Sequence, residues 1–506
     1  MRTLSSALQD QLFEMYGRRV TFDPTERRFY QSDVGALPGL VSPIVGNLTP
    51  AGVVQPRTEE ELIALARFAW ANKIPLVPRG KASSGYGGVL PVEGGLVVDL
   101  TWLSQIHAID PAGGTVTAGA GVVWEKLEQE LNSHGLALTT YPSSAPSSTV
   151  GGWLAQGGMG YGAYEYGFFR ESVVSARVVL PQGEVRAFTG DELDLISDAE
   201  GITGIISSVT LRTRPAEPEA VWGARFDSAE GLTDAIAAAR NAGVPFWSIS
   251  FITPQMAEMK NQLPPRLVHG HPAPRQAPHI PAGHVAIFVA PASRRAEIEG
   301  ALPDILAAGA GERIADEAAR HEWEERFAIL HVKRLGPSLV PAEVLVPAER
   351  LAKVLRAIEA RVRLPMAIEG MVSRSGEVTL LGFILHDQRK FSFNFAFALS
   401  LSVLKIAKEH GGRAYSTGLY FAKEAREVLG AERVRRLRAF KREVDPEGRL
   451  NPRKVLDGKP LLTAFLGAAE TFEPIVRLLG NAAQNGLGER IEGSGRRGIP
   501  DDVAWY

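Results

Sequence analysis

The chain contains no cysteine. Disulfides, thiolate nucleophiles and cysteine-ligated metal or iron–sulfur centres are therefore excluded within it. It also lacks an excess of charge of either sign: 55 basic side chains face 57 acidic ones, a formal net charge of −2. That balance gives no electrostatic case for nucleic-acid binding. No uninterrupted apolar run is long enough to span a bilayer. The nearest, Phe391–Ala407, is broken by Ser392, Asn394, Ser400, Ser402 and Lys405 and is expected to be a buried helix. The opening MRTLSSALQDQLFEMYGRR carries charges throughout and has no apolar centre of signal-peptide length. The expected location is cytoplasmic or peripheral to a membrane. Neither a GxGxxG nicotinamide fingerprint nor a Walker A loop occurs at the right spacing, and there is no internal repeat.

What the chain does have is glycine in two telling places. PRGKASSGYGG, from Pro78 to Gly88, follows the short apolar run Ile74–Val77 and holds four glycines and two serines. Glycine allows positive φ and close backbone approach, and successive amides in such a turn form an anion nest. A second small-residue segment, PSSAPSSTVGGWLAQGGMGYG, runs from Pro142 to Gly162. Two phosphate-friendly loops in one region suggest a dinucleotide stretched between them. Each glycine taken singly could equally serve a tight turn.

At 506 residues the chain should divide into two or three domains. Thr58 to Glu61 has capping-box spacing, and Leu62, Leu65, Ala66 and Ala69 continue a one-faced helix. Strands are expected at Ile74–Val77 and Gly95–Leu100. Hairpins are expected over Ile106–Ala118 and Val173–Phe188, and a last strand over Ser208–Arg212. Trp124–His134 reads as an amphipathic helix. Leu263–Pro281 is rich in proline and holds three of the ten histidines; a solvated loop is expected there rather than a metal site. Asp445–Pro452 is rich in turn residues. The tail from Lys459 begins apolar, then turns glycine-rich and charged.

Taken in order, these segments resemble the FAD-binding fold of the vanillyl-alcohol oxidase superfamily, the PCMH type. The branch most resembled is that of glycolate oxidase flavoprotein subunits and D-lactate dehydrogenases. The resemblance rests on VVQPRTEEELIALARFAWANKIPLVPRGKASSGYGG, GGLVVDLTWLSQI, TVTAGAGVVWEKLEQELNSHGL and Pro142–Gly162. It continues through YGFFRESVVSARVVLPQGEV, SDAEGITGIISSVTLRTRP and VDPEGRLNPRKVL. It implies an α+β protein: a two-subdomain FAD-binding domain over residues 1–215 and an α+β cap, or substrate, domain with an antiparallel sheet over 216–444. Residues 445–458 would return to the first domain, and 459–506 would form a tail, read as a docking arm.

The resemblance also implies site residues. Arg79, Gly80, Lys81, Ala82, Ser83, Ser84 and Gly85 would hold the FAD pyrophosphate through backbone amides. Ser147, Ser148, Gly151 and Gly152 would line the other side, with Gly157, Gly158 and Gly162 near the flavin. Glu200, Gly201 and Ile206 would flank the adenosine half. Because Lys81 stands where some relatives carry a flavin-linking histidine, and cysteine is absent, the FAD is expected to be non-covalent.

Oxidising a 2-hydroxy acid requires a cation for the carboxylate and a proton acceptor for the hydroxyl. Arg334 is the first candidate for the cation and Arg326 the second; either could instead be an ordinary surface ion pair. Close D-lactate dehydrogenases carry a GHxGDGNxH segment and a later glutamate–histidine pair that hold a metal. Here the corresponding stretches are GFILHDQRK and GGRAYSTGLYF, so no catalytic metal is expected. His386 becomes the acid/base candidate, with Arg389, Tyr415 and Tyr420 as substrate ligands. The bland alternative pairs His386 with Asp387 structurally. Electrons would pass to oxygen, a quinone or a partner such as an iron–sulfur protein. Two other readings stay open: a flavin-bearing relay or scaffold subunit, and a transferase like alkyl-glycerone-phosphate synthase.

Overall fold

The computed structural model describes residues 3–35, 37–264, 267–268, 271–272 and 278–482. Much of the Leu263–Pro281 loop and all of 483–506 lie outside the described residues. The chain divides into two compact units. One holds the residues up to Glu217 together with Ala414–Gly467; the other holds Pro218–Arg413 and residues from Ala468 onward.

The first unit contains a four-stranded sheet in the order Val20–Thr21, Gly52–Val54, Leu96–Asp99, Leu76–Arg79. The last three strands are parallel, so a helix must cross over between Val54 and Leu76. That helix is Glu59–Ala71, and it buries Leu62, Leu65, Ala66 and Ala69 as its spacing requires. Thr58 caps it by accepting the Glu61 N–H at 3.2 Å. Only half of the expected capping box forms. The Glu61 carboxylate takes the Arg57 N–H at 2.7 Å and the Arg19 guanidinium instead of closing back on Thr58. The strand also starts at Leu76 rather than at Ile74. Lys73 takes φ 57° and Ile74 N–H returns to Ala69 O at 2.9 Å, so both residues still belong to the helix ending.

A second sheet in this unit is antiparallel and built on Ile205–Pro215, which extends the expected Ser208–Arg212 strand at both ends. It pairs with Thr115–Gly119, Val173–Val179 and Leu136–Leu138. The two expected hairpins supply the outer strands, Ile106–Asp110 and Val185–Thr189.

The second unit is an antiparallel sheet. Its order is Glu312–Arg313, Glu219–Phe226, His284–Pro291, Ser248–Ile252, Met366–Val372, Glu377–His386 and Ser338–Pro347, with a short strand beginning at Arg413 on the edge. Helix Phe393–Glu409 covers the stretch expected to be a buried helix, and it buries Phe393, Ala396, Leu399, Val403 and Ile406. No helix among the described residues is long and apolar enough to cross a membrane.

The chain re-enters the first unit at Ala414, ahead of the expected Asp445. The turn-rich segment then docks beside the parallel sheet. The Asp445 carboxylate accepts the Arg449 and Leu450 N–H groups, at 3.0 and 2.7 Å, and Asn451 N–H reaches Leu76 O at 2.8 Å. The start of the tail is packed, unlike a free arm. Lys459 Nζ donates to Val45 O at 2.6 Å, Leu462 and Leu466 are buried in helix Pro460–Thr471, and helix Glu473–Ala482 sets Gly480 against Phe395 and Leu399.

Candidate functional site

Strand Leu76–Arg79 delivers the first glycine loop. Among the described residues, no hydrogen bond occupies the backbone N–H groups of Lys81, Ala82, Ser83, Ser84 or Gly85. Ala82 sits in the left-handed region at φ 53°, a conformation that curls successive amides into a concave anion site. Half-buried backbone donors are rarely left without partners, and the four from Ala82 to Gly85 are half-buried, so the run marks a place for a ligand.

Both ends of the loop are fixed. At one end a Cβ on Gly80 would lie 2.6 Å from Thr149 Oγ1, which brings the loop against the start of helix Val150–Gln156. At the other end the Asp33 carboxylate accepts from Gly35 and Gly87 N–H at 2.9 and 2.8 Å. Burial pushes Asp33 up to about 6, against the pull of those two donors. The Arg79 guanidinium turns away to Ser32 O, at 2.9 Å, and over the Tyr30 ring, so Arg79 offers the loop backbone only.

The second segment contributes differently from the first. The amides at its centre are already used: Ser147 and Ser148 bond to Ser144 O, Val150 to Val122 O, Gly151 to Ala120 O and Gly152 to Thr149 Oγ1. Its open groups are the N–H groups of Gly158, Gly160 and Gly162 and two side chains. Ser148 Oγ and Gln156 Nε2 are buried with no partner among the described residues.

Several nominated glycines are small because the chain itself fills the space. Gly151 faces Ala120, Gly157 the Asp198 carboxylate, Gly158 the Tyr415 hydroxyl and Gly201 the Pro78 ring. Gly162 takes φ 88° to start the helix Ala163–Tyr166. Ile206 is buried in the sheet, paired with Val178. Glu200 is buried, its carboxyl against Gly88.

Sequence reasoning missed the return segment's hold on both loops. Tyr415 Oη accepts the Met159 N–H at 3.1 Å and stands 3.2 Å from Met159 O, within donating distance. Ser416 Oγ donates to Gln156 O at 3.3 Å, Leu419 N–H to Tyr86 O at 2.8 Å, and the Tyr86 and Tyr415 rings stack at 6.3 Å. Asn451 Nδ2 ties Gly88 O to Glu200 O, at 2.9 and 2.5 Å. Tyr415, nominated as a substrate ligand, is thus placed as a brace of the Gly157–Met159 turn. Tyr420 is buried too, and burial holds its phenol well above the usual range.

The second unit brings His386, Asp387 and Arg389 together at the end of strand Glu377–His386. His386 has no exposed surface. Its Nδ1 lies 2.9 Å from the Asp387 N and 3.4 Å from Asp387 O, so the ring hydrogen can sit on either nitrogen, and Nε2 has no partner among the described residues. Burial lowers its pKa, so the ring is neutral. Arg389 is exposed and clasps the Asp387 carboxylate with two bonds of 2.9 and 3.0 Å, holding that carboxyl below its usual range. Arg334 is exposed on the short helix Ile329–Leu335. Arg326 lies over the Trp323 and Phe327 rings, at 4.1 and 4.5 Å. Among the described residues, no three His, Asp or Glu side chains gather into a metal-holding group.

Two family models match in succession: an FAD binding domain over residues 50–189 and the C-terminal domain of FAD linked oxidases over 216–455. The chain belongs to the FAD-linked oxidases. Similar curated proteins include a D-lactate dehydrogenase of Anaerostipes hadrus, 27% identical over 81% of this chain and 90% of that one. The glycolate oxidase subunit GlcD of Escherichia coli K12 is also 27% identical, over 80% and 83%. Among solved structures, p-cresol methylhydroxylase with substrate bound gives a TM-score of 0.73 at 16% identity, over 90% and 98%. An alkyldihydroxyacetonephosphate synthase gives 0.73 at 17% identity, over 89% and 85%. Both structures share the two-domain PCMH-type fold with this FAD-linked oxidoreductase. The cofactor of the family is FAD, and the residues present fit it. The open amides of Lys81–Gly85 suit its diphosphate, and the partnerless Ser148 and Gln156 are polar groups that await a ligand.

Proposed function

We propose that this chain oxidises a 2-hydroxy acid of the glycolate or D-lactate kind and passes the electrons to a protein, a quinone or oxygen. The observation that carries the cofactor half of this reading is the run of unpaired amides at Lys81–Gly85. The substrate half is supported by relatives named D-lactate dehydrogenase and glycolate oxidase subunit, at 24–31% identity. FAD, when bound, supplies the hydride acceptor. The chain's residues would do the rest. Arg334 or Arg389 would meet the substrate carboxylate, and the neutral His386 ring, with its hydrogen on Nδ1 toward Asp387 O, would take the hydroxyl proton at Nε2 once the site admits a substrate. That one relative is named as a subunit supports delivery of electrons to a partner protein.

A second reading is a flavin-bearing relay or scaffold subunit. The burial of His386 and the commitment of Arg389 to Asp387 favour it, because both leave the nominated groups occupied or enclosed. The transferase reading has no such support, since the synthase likeness shows the fold alone.

Anaerobic mixing with a panel of 2-hydroxy acids tests the proposal. Bleaching of the bound flavin by glycolate or D-lactate is expected. Retained FAD with no bleaching by any member would give the relay reading the field.

A further inference from the structure

Glu200 sets a buried carboxyl against Gly88, at the end of the first glycine segment. It is buried, its Oε1 has no hydrogen-bond partner, and no lysine or arginine nitrogen lies within 4.0 Å of its carboxyl among the described residues. The carboxyl fills the space that a Cβ on Gly88 would need. Its backbone is held in the left-handed region at φ 49°, next but one to Asp198 at φ 47°. Asn451 locks its carbonyl and that of Gly88 with one side-chain amide. Non-glycine residues keep such conformations only where the surroundings over-determine them.

We propose that Glu200 supports the cofactor loop as an uncharged acid, and that its ionisation releases FAD. An ionised carboxylate here would be desolvated and unpaired. It would also stand behind the loop whose amides receive the dinucleotide's anionic diphosphate. The charged groups that face it come from three segments. Lys454, on the return segment, donates to Leu90 O at 2.8 Å. Asp198, on its own turn, is held by Arg433 at 3.1 Å. Asp33, from the N-terminal segment, caps Gly35 and Gly87. Burial pushes Glu200 up to about 8, with Lys454 opposing the rise and Asp198 and Asp33 adding to it. Lys454 is itself drawn down to about 7 by burial, so it carries little charge where Glu200 begins to ionise.

The direction of the pH effect follows from linkage. The diphosphate raises the Glu200 pKa further in the loaded protein, so binding takes up a proton only at pH values above the empty-site pKa. The holoenzyme is diluted at fixed concentration into buffers from about pH 6 to about pH 9.5, and freed FAD is read by its fluorescence. Above about pH 8 the FAD dissociation constant should climb toward tenfold per unit, over and above any change below that pH contributed by Asp33 and Lys454. Glu200→Gln, which keeps the shape of the neutral acid, should bind FAD with no such climb. A flat wild-type profile, or a Gln variant that follows the wild-type climb, overturns the proposal. Should the variant fail to fold, calorimetry of FAD binding to the wild type near pH 8.5, in two buffers of different ionisation heat, decides. Uptake of a proton supports the proposal and no uptake overturns it.

Discussion

Tyr415 has a structural partner that its sequence context does not announce. In the sequence it is a tyrosine in a segment aligned with metal ligands, and a substrate contact is a natural expectation. In the fold its hydroxyl is shared with the backbone of Met159, 256 residues away in sequence. No local pattern encodes a partner at that separation. Tyr415→Phe should therefore lower stability by about 1–3 kcal/mol, since it strands the buried Met159 N–H, and leave substrate-driven flavin reduction near the wild-type rate. Urea unfolding and anaerobic stopped-flow check the two halves. Lost reduction with unchanged stability would return Tyr415 to the substrate site. The glycines teach the complementary lesson. Their positions were legible, but at Gly151, Gly157, Gly158 and Gly201 the crowding neighbour is the protein's own chain. The Lys81–Gly85 amides, by contrast, form an uninterrupted run with no hydrogen-bond partner among the described residues.

Elements whose signals are local were readable: helix Glu59–Ala71 from its cap and buried face, and the two hairpins from alternation and turn residues. Their boundaries were less so. The strand after that helix begins two residues late because a positive φ at Lys73 prolongs the helix ending, and nothing about a lysine announces it. The tail was read as a docking arm, and its apolar start packs onto the protein itself, with Leu462 and Leu466 buried in helix Pro460–Thr471. Removing everything after Gly458 exposes these side chains and the surfaces they cover. At about 1.5–3 kcal/mol for each buried leucine, the truncated protein should lose on the order of 3 kcal/mol or more. A lowered denaturant midpoint is the expected result; an unchanged midpoint would show that the tail adds nothing to the stability of the fold.

For the whole molecule, the order of segments carried the family and hence the division into a cofactor unit and a second, antiparallel unit. It did not carry the early return at Ala414, whose purpose appears only when Tyr415, Leu419 and Asn451 are seen holding the two glycine segments. The cofactor unit is thus held by chain from both ends of the sequence, and the nest curled at Ala82 is where it presents a run of unpaired amides. The most direct measurement is the FAD dissociation constant of Ala82→Val set beside that of Ala82→Gly. Glycine keeps φ 53° at little cost. Alanine already bears the left-handed penalty of an L-residue; β-branched valine is a genuine outlier there, and this favours a flattened nest. The account predicts near-wild-type affinity for the glycine variant and about tenfold weaker binding, or worse, for the valine variant. Equal affinity in both variants would contradict it.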